Sequence, residues 1–157
     1  LPAELATLPV LGFVPNQWSY YVSWYAFQSR REQPNALFRV LSENNTLGFN
    51  ATIRNMLSLG DSGDKLDLLL PDLPDAYANH GLNLPAFALA PIRGTGLGFY
   101  SYLYRYMYAG DPANLYIGRT ESLRSDLLEF MQHRGIAMSG ALRDFIEHES
   151  PRNVSVH

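Results

Sequence analysis

A polar turn between an apolar stretch and an amphipathic stretch is the first place in this chain where chemistry can be expected. The apolar residues from Val10 to Val14 are followed by Pro15 and Asn16, and from Trp18 onward apolar side chains recur at helical spacing. A helix that begins after such a turn has unpaired backbone N–H groups in its first turn, and its dipole adds partial positive charge there. This arrangement favours the binding of an anion such as phosphate.

A second junction of the same kind carries charged side chains. Residues 114–118 predict a strand, and the apolar spacing after Ser122 predicts a helix with Asp126 in its first turn. Arg119 and Glu121 are two residues apart at the strand end, so both side chains can face one polar cleft. They can form a structural ion pair with a hydrogen-bond network, or they can contact a ligand.

Histidine is the residue type that most often serves as a general base, and three histidines come into question. They are His80, His133 and His148, of which His80, in a proline-rich stretch, is the first choice. The alternative for each of them is an ordinary surface histidine. A metal-dependent hydrolase would need clustered ligands at a spacing such as His-Glu-x-x-His, whereas these histidines are scattered, so we expect no metal site.

Composition limits the class of protein. The 157 residues are 46% hydrophobic, which is enough for one domain with a core and too short for two. The net charge of −3 argues against a protein that coats nucleic acid or an anionic membrane, and the apolar runs are far shorter than a membrane span requires. We therefore expect a soluble, cytoplasmic protein of one domain, 1–157, with no nucleic-acid partner and no membrane span.

Hydrophobic spacing predicts several helices before the second junction. They cover Gln17 to Arg31, Ala36 to Ser42, a segment around Phe49 to Leu57 with Asn50 as its cap and Gly60 as its end, and Leu97 to Tyr108. Prolines interrupt every period from Asp61 to Pro91, which predicts a long loop. A last short helix is expected around residues 141–146.

The glycine-rich segment from Arg93 to Gly98 has the composition of a phosphate-binding loop but lacks its Gly-Lys-[Ser/Thr] ending. We interpret it as a structural turn that begins the next helix. That helix is aromatic nearly all round, which predicts burial on more than one side and a carboxylate partner for Arg105.

The first junction resembles the 3′-phosphate-binding element of the sulfotransferases that use 3′-phosphoadenosine 5′-phosphosulfate (PAPS). In that family an apolar strand leads into Arg-Asn-Pro-aromatic-Asp, and a serine follows one turn into the helix, commonly within Val-Ser-Trp-Tyr. The matching positions here are Phe13, Val14, Asn16, Trp18 and Val22-Ser23-Trp24-Tyr25. The departures are Pro15 for the phosphate-binding arginine, Gln17 for proline and Ser19 for aspartate. A proline cannot replace a bidentate guanidinium contact, so the likeness supports the fold more than the affinity for PAPS.

The second junction is similar to another stretch of the same family, Gly-Arg-x-Glu-x-Leu-x-x-Asp-Leu. Its fixed positions are all matched, by Gly118, Arg119, Glu121, Leu123, Asp126 and Leu127. The resemblance implies an α/β fold of the P-loop type, a parallel sheet flanked by helices, here helix-rich and incomplete at both ends. It also implies that Asn16, Ser23 and Arg119 contact the nucleotide.

The function that this resemblance implies is transfer of a sulfuryl group from PAPS to a hydroxyl or amine of an acceptor. The family's glycine-rich 5′-phosphosulfate loop does not occur in this sequence, so we expect it upstream of Leu1 in a longer chain. The partners would be the nucleotide co-substrate and an acceptor. The alternative is a non-catalytic binding or assembly module with the same fold, which has lost the 3′-phosphate arginine at Pro15.

Overall fold

The computed structural model describes residues 8–61, 63–77, 84–109 and 114–149. These ranges are rich in helix and contain a small parallel sheet. The elements in chain order are β1 (Val10–Val14), α1 (Gln17–Ser29), α2 (Ala36–Leu41), α3 (Phe49–Leu57), α4 (Gly63–Leu69), a 3-10 turn (Leu70–Asp72), α5 (Ala86–Leu89), a 3-10 turn (Ala90–Ile92), α6 (Phe99–Met107), β2 (Leu115–Arg119), a 3-10 turn (Thr120–Ser122), α7 (Leu123–His133) and α8 (Gly140–His148).

The chain divides into two compact units. One, the sheet unit, joins Leu1–Asn16 to Gly110–His157, and the other, the helical unit, is Gln17–Ala109. The prediction of a single domain stays a prediction.

The sheet unit is built on two parallel strands. β1 and β2 pair in register, so that Phe13 lies beside Gly118 and Val14 beside Arg119. Helix α7 packs on the sheet face that carries Gly118, with the Phe130 ring 5.7 Å from the ring of Tyr116. Parallel pairing requires a crossover connection, which here is long enough to contain the whole helical unit.

The apolar run Val10–Val14 is a strand, as predicted, but it is not flanked on both sides. Within the described ranges the sheet has two strands, so β1 has one neighbour, and Val10 remains 42% exposed. An apolar run indicates that a strand is at least partly buried. It does not determine how many strands lie beside it, because those come from distant parts of the chain.

The helical unit contains the main hydrophobic core. On α1 the buried side chains are Tyr21, Trp24 and Gln28, which follow one another at helical spacing. Helix α2 begins at a cap, since the Asn35 side chain accepts a hydrogen bond of 2.8 Å from the N–H of Phe38. Fully buried members of the core from other helices include Leu41, Met56, Leu66, Leu69, Leu89 and Leu103.

The prediction of a long loop from Asp61 to Pro91 is wrong for much of the described part of this segment, because α4, α5 and two 3-10 turns lie there. Pro71 and Pro91 each stand at the start of a 3-10 turn, where a missing N–H costs nothing. Leu66 and Leu69 are buried completely, so packing stabilises a helix that is too short for propensity alone.

Two further details differ from the sequence predictions. Gly48, not Asn50, is the N-cap of α3, and Asn50 lies inside the helix. Arg105 is exposed on α6, and no carboxylate in the described ranges pairs with it, because its guanidinium can remain in water.

The aromatic helix α6 is part of the core. Its buried residues are Phe99, Tyr100, Tyr102 and Leu103, which cover two sides of the helix, as predicted. The buried tyrosine hydroxyls have partners, since Tyr102 donates to the carbonyl of Ala88 at 2.8 Å and Tyr100 donates to Tyr104 at 2.9 Å.

Candidate functional site

The carboxyl ends of β1 and β2 lie side by side, and both sequence junctions begin there. Val14 and Arg119, the last residues of the two strands, are partners in the register. β1 continues into Pro15 and Asn16, and β2 continues through a 3-10 turn into α7. Ligands of open α/β sheets bind at this edge of the sheet, so it is the natural candidate site.

One carboxylate joins the two strand ends. The N–H of Asn16 donates a hydrogen bond of 2.6 Å to Oε1 of Glu121, across 105 residues of chain. This N–H is the main cause that holds the pKa of Glu121 below its ordinary value, and the charge of Arg119 adds a smaller contribution. The bond also means that the Asn16 N–H, one donor of the expected anion site, already has an anionic partner.

A second carboxylate closes the turn between β2 and α7. Oδ2 of Asp126 accepts the N–H of Arg119 at 2.6 Å and the hydroxyl of Ser122 at 2.9 Å. These donors, the Arg119 N–H first, lower the pKa of Asp126. Ser122 stands at the N-cap position of α7, but its hydroxyl donates to Asp126 and does not cap the helix.

Gly118 allows α7 to approach the strand this closely. A Cβ atom at Gly118 would lie 2.9 Å from Cβ of Asp126 and 2.8 Å from the ring of Phe13. Both distances are shorter than a real side chain tolerates, and one of the obstacles is the neighbouring strand's own aromatic ring. The position therefore requires glycine for reasons of space.

The Arg119 side chain is the cation of the site. Arg119 is exposed, and its guanidinium has no hydrogen-bond or ion-pair partner among the residues described. Of the two alternatives for Arg119 and Glu121, the structural one is present in part: the described residues show no ion pair between them, but a hydrogen-bond network exists through the Arg119 main chain. Contact with a ligand stays a prediction. The prediction that both residues lie at the end of the second strand is confirmed, and Glu121 also contacts the turn after β1 through the Asn16 N–H.

The other residues singled out in the sequence lie elsewhere. Ser23 is exposed on α1, in the helical unit, and the prediction that it shares a cleft with Asn16 stays a prediction. His80 lies outside the described residues. His133 ends α7 and is exposed, and Nδ1 of His148 lies 2.9 Å from a carboxylate oxygen of Asp144 on α8.

The glycine-rich segment is a turn that begins α6, as predicted. Gly94 and Gly96 have positive φ angles of 71° and 67°, and Gly98 is the N-cap of α6. The Gly94 N–H donates to the carbonyl of Gly60 at 2.8 Å, and Arg93 pairs with Asp67. The turn geometry and these contacts explain the glycines and the arginine of the segment without a bound phosphate.

The role of Asp126 is what the sequence reasoning missed. The position of Asp126 in the first turn of α7 predicts an interaction with the helix dipole, whereas its oxygen accepts a hydrogen bond from the preceding strand. The signal was present, because Gly118, Ser122 and Asp126 follow one another at intervals of four across a strand end. The contact itself becomes visible only when the turn is folded.

In the ranges that the structure describes, no three His, Asp or Glu side chains are grouped so that they could hold a metal ion. No helix among these residues has the length and apolar character needed to cross a membrane. Comparison of the chain with protein-family models, with curated proteins and with solved structures finds no match.

Proposed function

We propose that this chain is part of a sulfotransferase-type protein of P-loop-like α/β fold, the complete form of which transfers a sulfuryl group from PAPS to a hydroxyl or amine acceptor. The observation that carries the proposal is the meeting of the two motif stretches at one edge of a parallel sheet, with Asn16 bonded to Glu121. These stretches are far apart in the sequence, and a parallel sheet is the arrangement that their resemblance implies.

The part of this chain in the reaction is to bind and orient the nucleotide. In the transfer, the acceptor oxygen or nitrogen attacks sulfur, the bond from sulfur to the phosphate oxygen breaks, and the acceptor proton passes to a base. Arg119 supplies a cation at the strand ends, and the family resemblance assigns to Ser23 a hydroxyl for the 3′-phosphate. Cations that stabilise charge on the leaving oxygen come, in the family, from the 5′-phosphosulfate loop.

The local charges favour weak binding of the nucleotide. Glu121 and Asp126 place two carboxylates near the guanidinium of Arg119, and Pro15 stands where the family has its phosphate-binding arginine. Pro15 is also the observation that favours the second candidate function, a non-catalytic binding or assembly module. We expect this chain alone to have no sulfotransferase activity and to bind 3′-phosphoadenosine 5′-phosphate poorly.

Isothermal titration with 3′-phosphoadenosine 5′-phosphate tests the proposal. Arg119→Ala should weaken binding by about tenfold or more, because a charge-assisted hydrogen bond contributes roughly 1.5–3 kcal/mol. Arg143→Ala is the matched control, since it removes an exposed arginine of the same unit whose ion pair, among the described residues, is with Glu147. Ser23→Ala should also weaken binding.

Two results would contradict the proposal. Equal affinity for adenosine 5′-phosphate, which lacks the 3′-phosphate, would show that the 3′-phosphate is not recognised. Micromolar binding unaffected by Ser23→Ala and Arg119→Ala would show that the phosphate site lies elsewhere. Weak, 3′-phosphate-dependent binding without transfer in the longest natural chain would favour the non-catalytic candidate.

A further inference from the structure

We propose that Asp126 is a positioning residue, which orients the Arg119 side chain toward a bound phosphate by holding the Arg119 main chain. The inference rests on the proposed function, because it assumes that Arg119 contacts the nucleotide. It goes beyond that function by assigning the orientation of the cation to a residue that does not itself touch the ligand.

The geometry of the turn is the first step. Oδ2 of Asp126 accepts the N–H of Arg119 at 2.6 Å, and the same oxygen accepts the hydroxyl of Ser122 at 2.9 Å. One atom of α7 is thereby bonded to the last residue of β2 and to the residue directly before α7. Because the main chain at Arg119 determines the direction of its Cα–Cβ bond, this contact determines where the side chain starts.

The second step concerns the Arg119 side chain. Its guanidinium makes no hydrogen bond or ion pair within the described ranges, although the carboxylates of Glu121 and Asp126 attract its charge. The restraint that the structure provides acts at the main chain. Val14, its partner in β1, is apolar and offers no side-chain acceptor.

Gly118 supplies the third step. The Asp126 carboxylate reaches Arg119 only because its own Cβ can lie where a side chain at Gly118 would otherwise be, 2.9 Å from an added Cβ atom. Gly118 and Asp126 therefore act as a pair, in which the small residue allows the contact and the carboxylate makes it. The requirement explains why the glycine directly precedes the cation.

The sign of the effect separates positioning from simple electrostatics. Asp126 is negatively charged and lies near the site. If it acted on the ligand through its charge alone, it would repel phosphate, and Asp126→Asn would tighten binding. A positioning residue predicts the opposite, because Asp126→Asn replaces a charge-assisted bond to the Arg119 N–H with a weaker neutral one, and the looser orientation of Arg119 outweighs the gain from removing a charge. We expect Asp126→Asn to weaken 3′-phosphoadenosine 5′-phosphate binding by about threefold to tenfold.

The experiment combines affinity with a direct measurement of the contact. Titrations with 3′-phosphoadenosine 5′-phosphate are made on the wild-type chain, Asp126→Asn, Arg119→Ala and the double variant, together with amide hydrogen exchange at Arg119. Asp126→Asn should accelerate exchange of the Arg119 amide and should add no loss of affinity once Arg119 is alanine. Asp144→Asn is the matched control, since it removes an exposed carboxylate of α8 in the same unit and should change neither readout.

Asp126→Glu keeps the charge but moves the carboxylate by one methylene, so it should also weaken nucleotide binding. This variant replaces Asp126→Asn in the titrations if Asp126→Asn does not fold. Unchanged or tighter binding by Asp126→Asn, with Arg119→Ala still weakening it, would overturn this inference alone. Unchanged binding by Arg119→Ala would overturn the proposed phosphate site and this inference with it.

Discussion

At the residue scale, two carboxylates satisfy two main-chain N–H groups at the strand ends. Glu121 takes the N–H of Asn16, and Asp126 takes the N–H of Arg119, each at 2.6 Å. A charge-assisted bond of this kind is stronger than a neutral one, and it depends on the carboxylate remaining ionised. The local structure at the candidate site is therefore sensitive to acid.

The first prediction concerns acid stability. Both pKa values are lower in the folded chain than the ordinary values of 4.5 for Glu121 and 3.8 for Asp126, so the unfolded chain binds protons more readily. Their stabilisation is fully present above about pH 5 and is lost as the pH falls through the folded-state pKa values. Thermal unfolding between pH 7 and pH 3 should show this decline, and Glu121→Gln should flatten it. A Glu121→Gln protein with the wild-type slope would contradict the assignment.

The second prediction concerns Pro15, which directly follows β1. Pro15→Arg would restore a cation at the position where the family binds the 3′-phosphate. In a chain that includes the 5′-phosphosulfate loop, it should tighten 3′-phosphoadenosine 5′-phosphate binding by about tenfold to a hundredfold. Pro15→Ala is the control for loss of the ring. The gain in affinity should become smaller at high salt, because salt screens the added charge. An equal gain in affinity from Pro15→Ala would mean that residue 15 does not face a phosphate.

At the scale of elements, glycine determines how closely neighbouring elements approach. Gly118 allows contact between β2 and α7, and Gly98 does the same between α6 and α3, where an added Cβ would lie 2.9 Å from the main chain of Leu57. At Gly118 the added atom would meet the Phe13 ring and the Asp126 Cβ, whereas at Gly98 it would meet main-chain atoms. A methyl group there forces the elements apart.

The third prediction is that Gly118→Ala destabilises the protein by about 1–3 kcal/mol, the usual cost of overpacking a close contact. Gly140→Ala is the matched control, because a Cβ atom at this first residue of α8 meets nothing within 4 Å. Urea unfolding of the two variants, followed by circular dichroism, checks the difference. Equal stabilities would show that the strand and α7 can separate without cost.

At the scale of the whole molecule, the buried apolar side chains are distributed unequally. In the part of the chain that the structure describes, every buried hydrophobic residue except Phe130 belongs to the helical unit. The sheet unit relies instead on strand pairing and on the two carboxylate contacts. A two-stranded sheet by itself is marginal in water, so the two units should differ in stability.

The fourth prediction is that residues 17–109 fold on their own, because every residue of their core cluster among those the structure describes lies within this range. The isolated segment should have a helical circular dichroism spectrum and a cooperative thermal transition. Residues 110–157 alone should not form β2, since the hydrogen-bonding partner β1 is missing. Phe38→Ala, at a completely buried position, should remove about 3–5 kcal/mol and abolish the transition of the 17–109 segment. Loss of the transition in the unsubstituted segment would contradict the prediction.

Local patterns in the sequence determined the first strand and most of the helices. β1 was predicted from a short apolar run, and α1, α2, α3 and α6 from the spacing of apolar side chains, each within two residues or so at the ends. The helix that begins after Ser122 was predicted in the same way, and Gly135 ends it with a positive φ of 63°. Such elements are predictable because their signals lie within one or two turns of the chain.

Tertiary structure alone decided the pairing of β1 with β2, the two carboxylate contacts and the short helices α4 and α5. The bond from Asn16 to Glu121 spans 105 residues, and no local pattern specifies a partner at that distance. The prolines after Asp61 predicted a loop by their local effect, but burial of Leu66 and Leu69 outweighs it. A sequence shows which segments can form elements, whereas the contacts between distant segments depend on which surfaces the folded chain brings together.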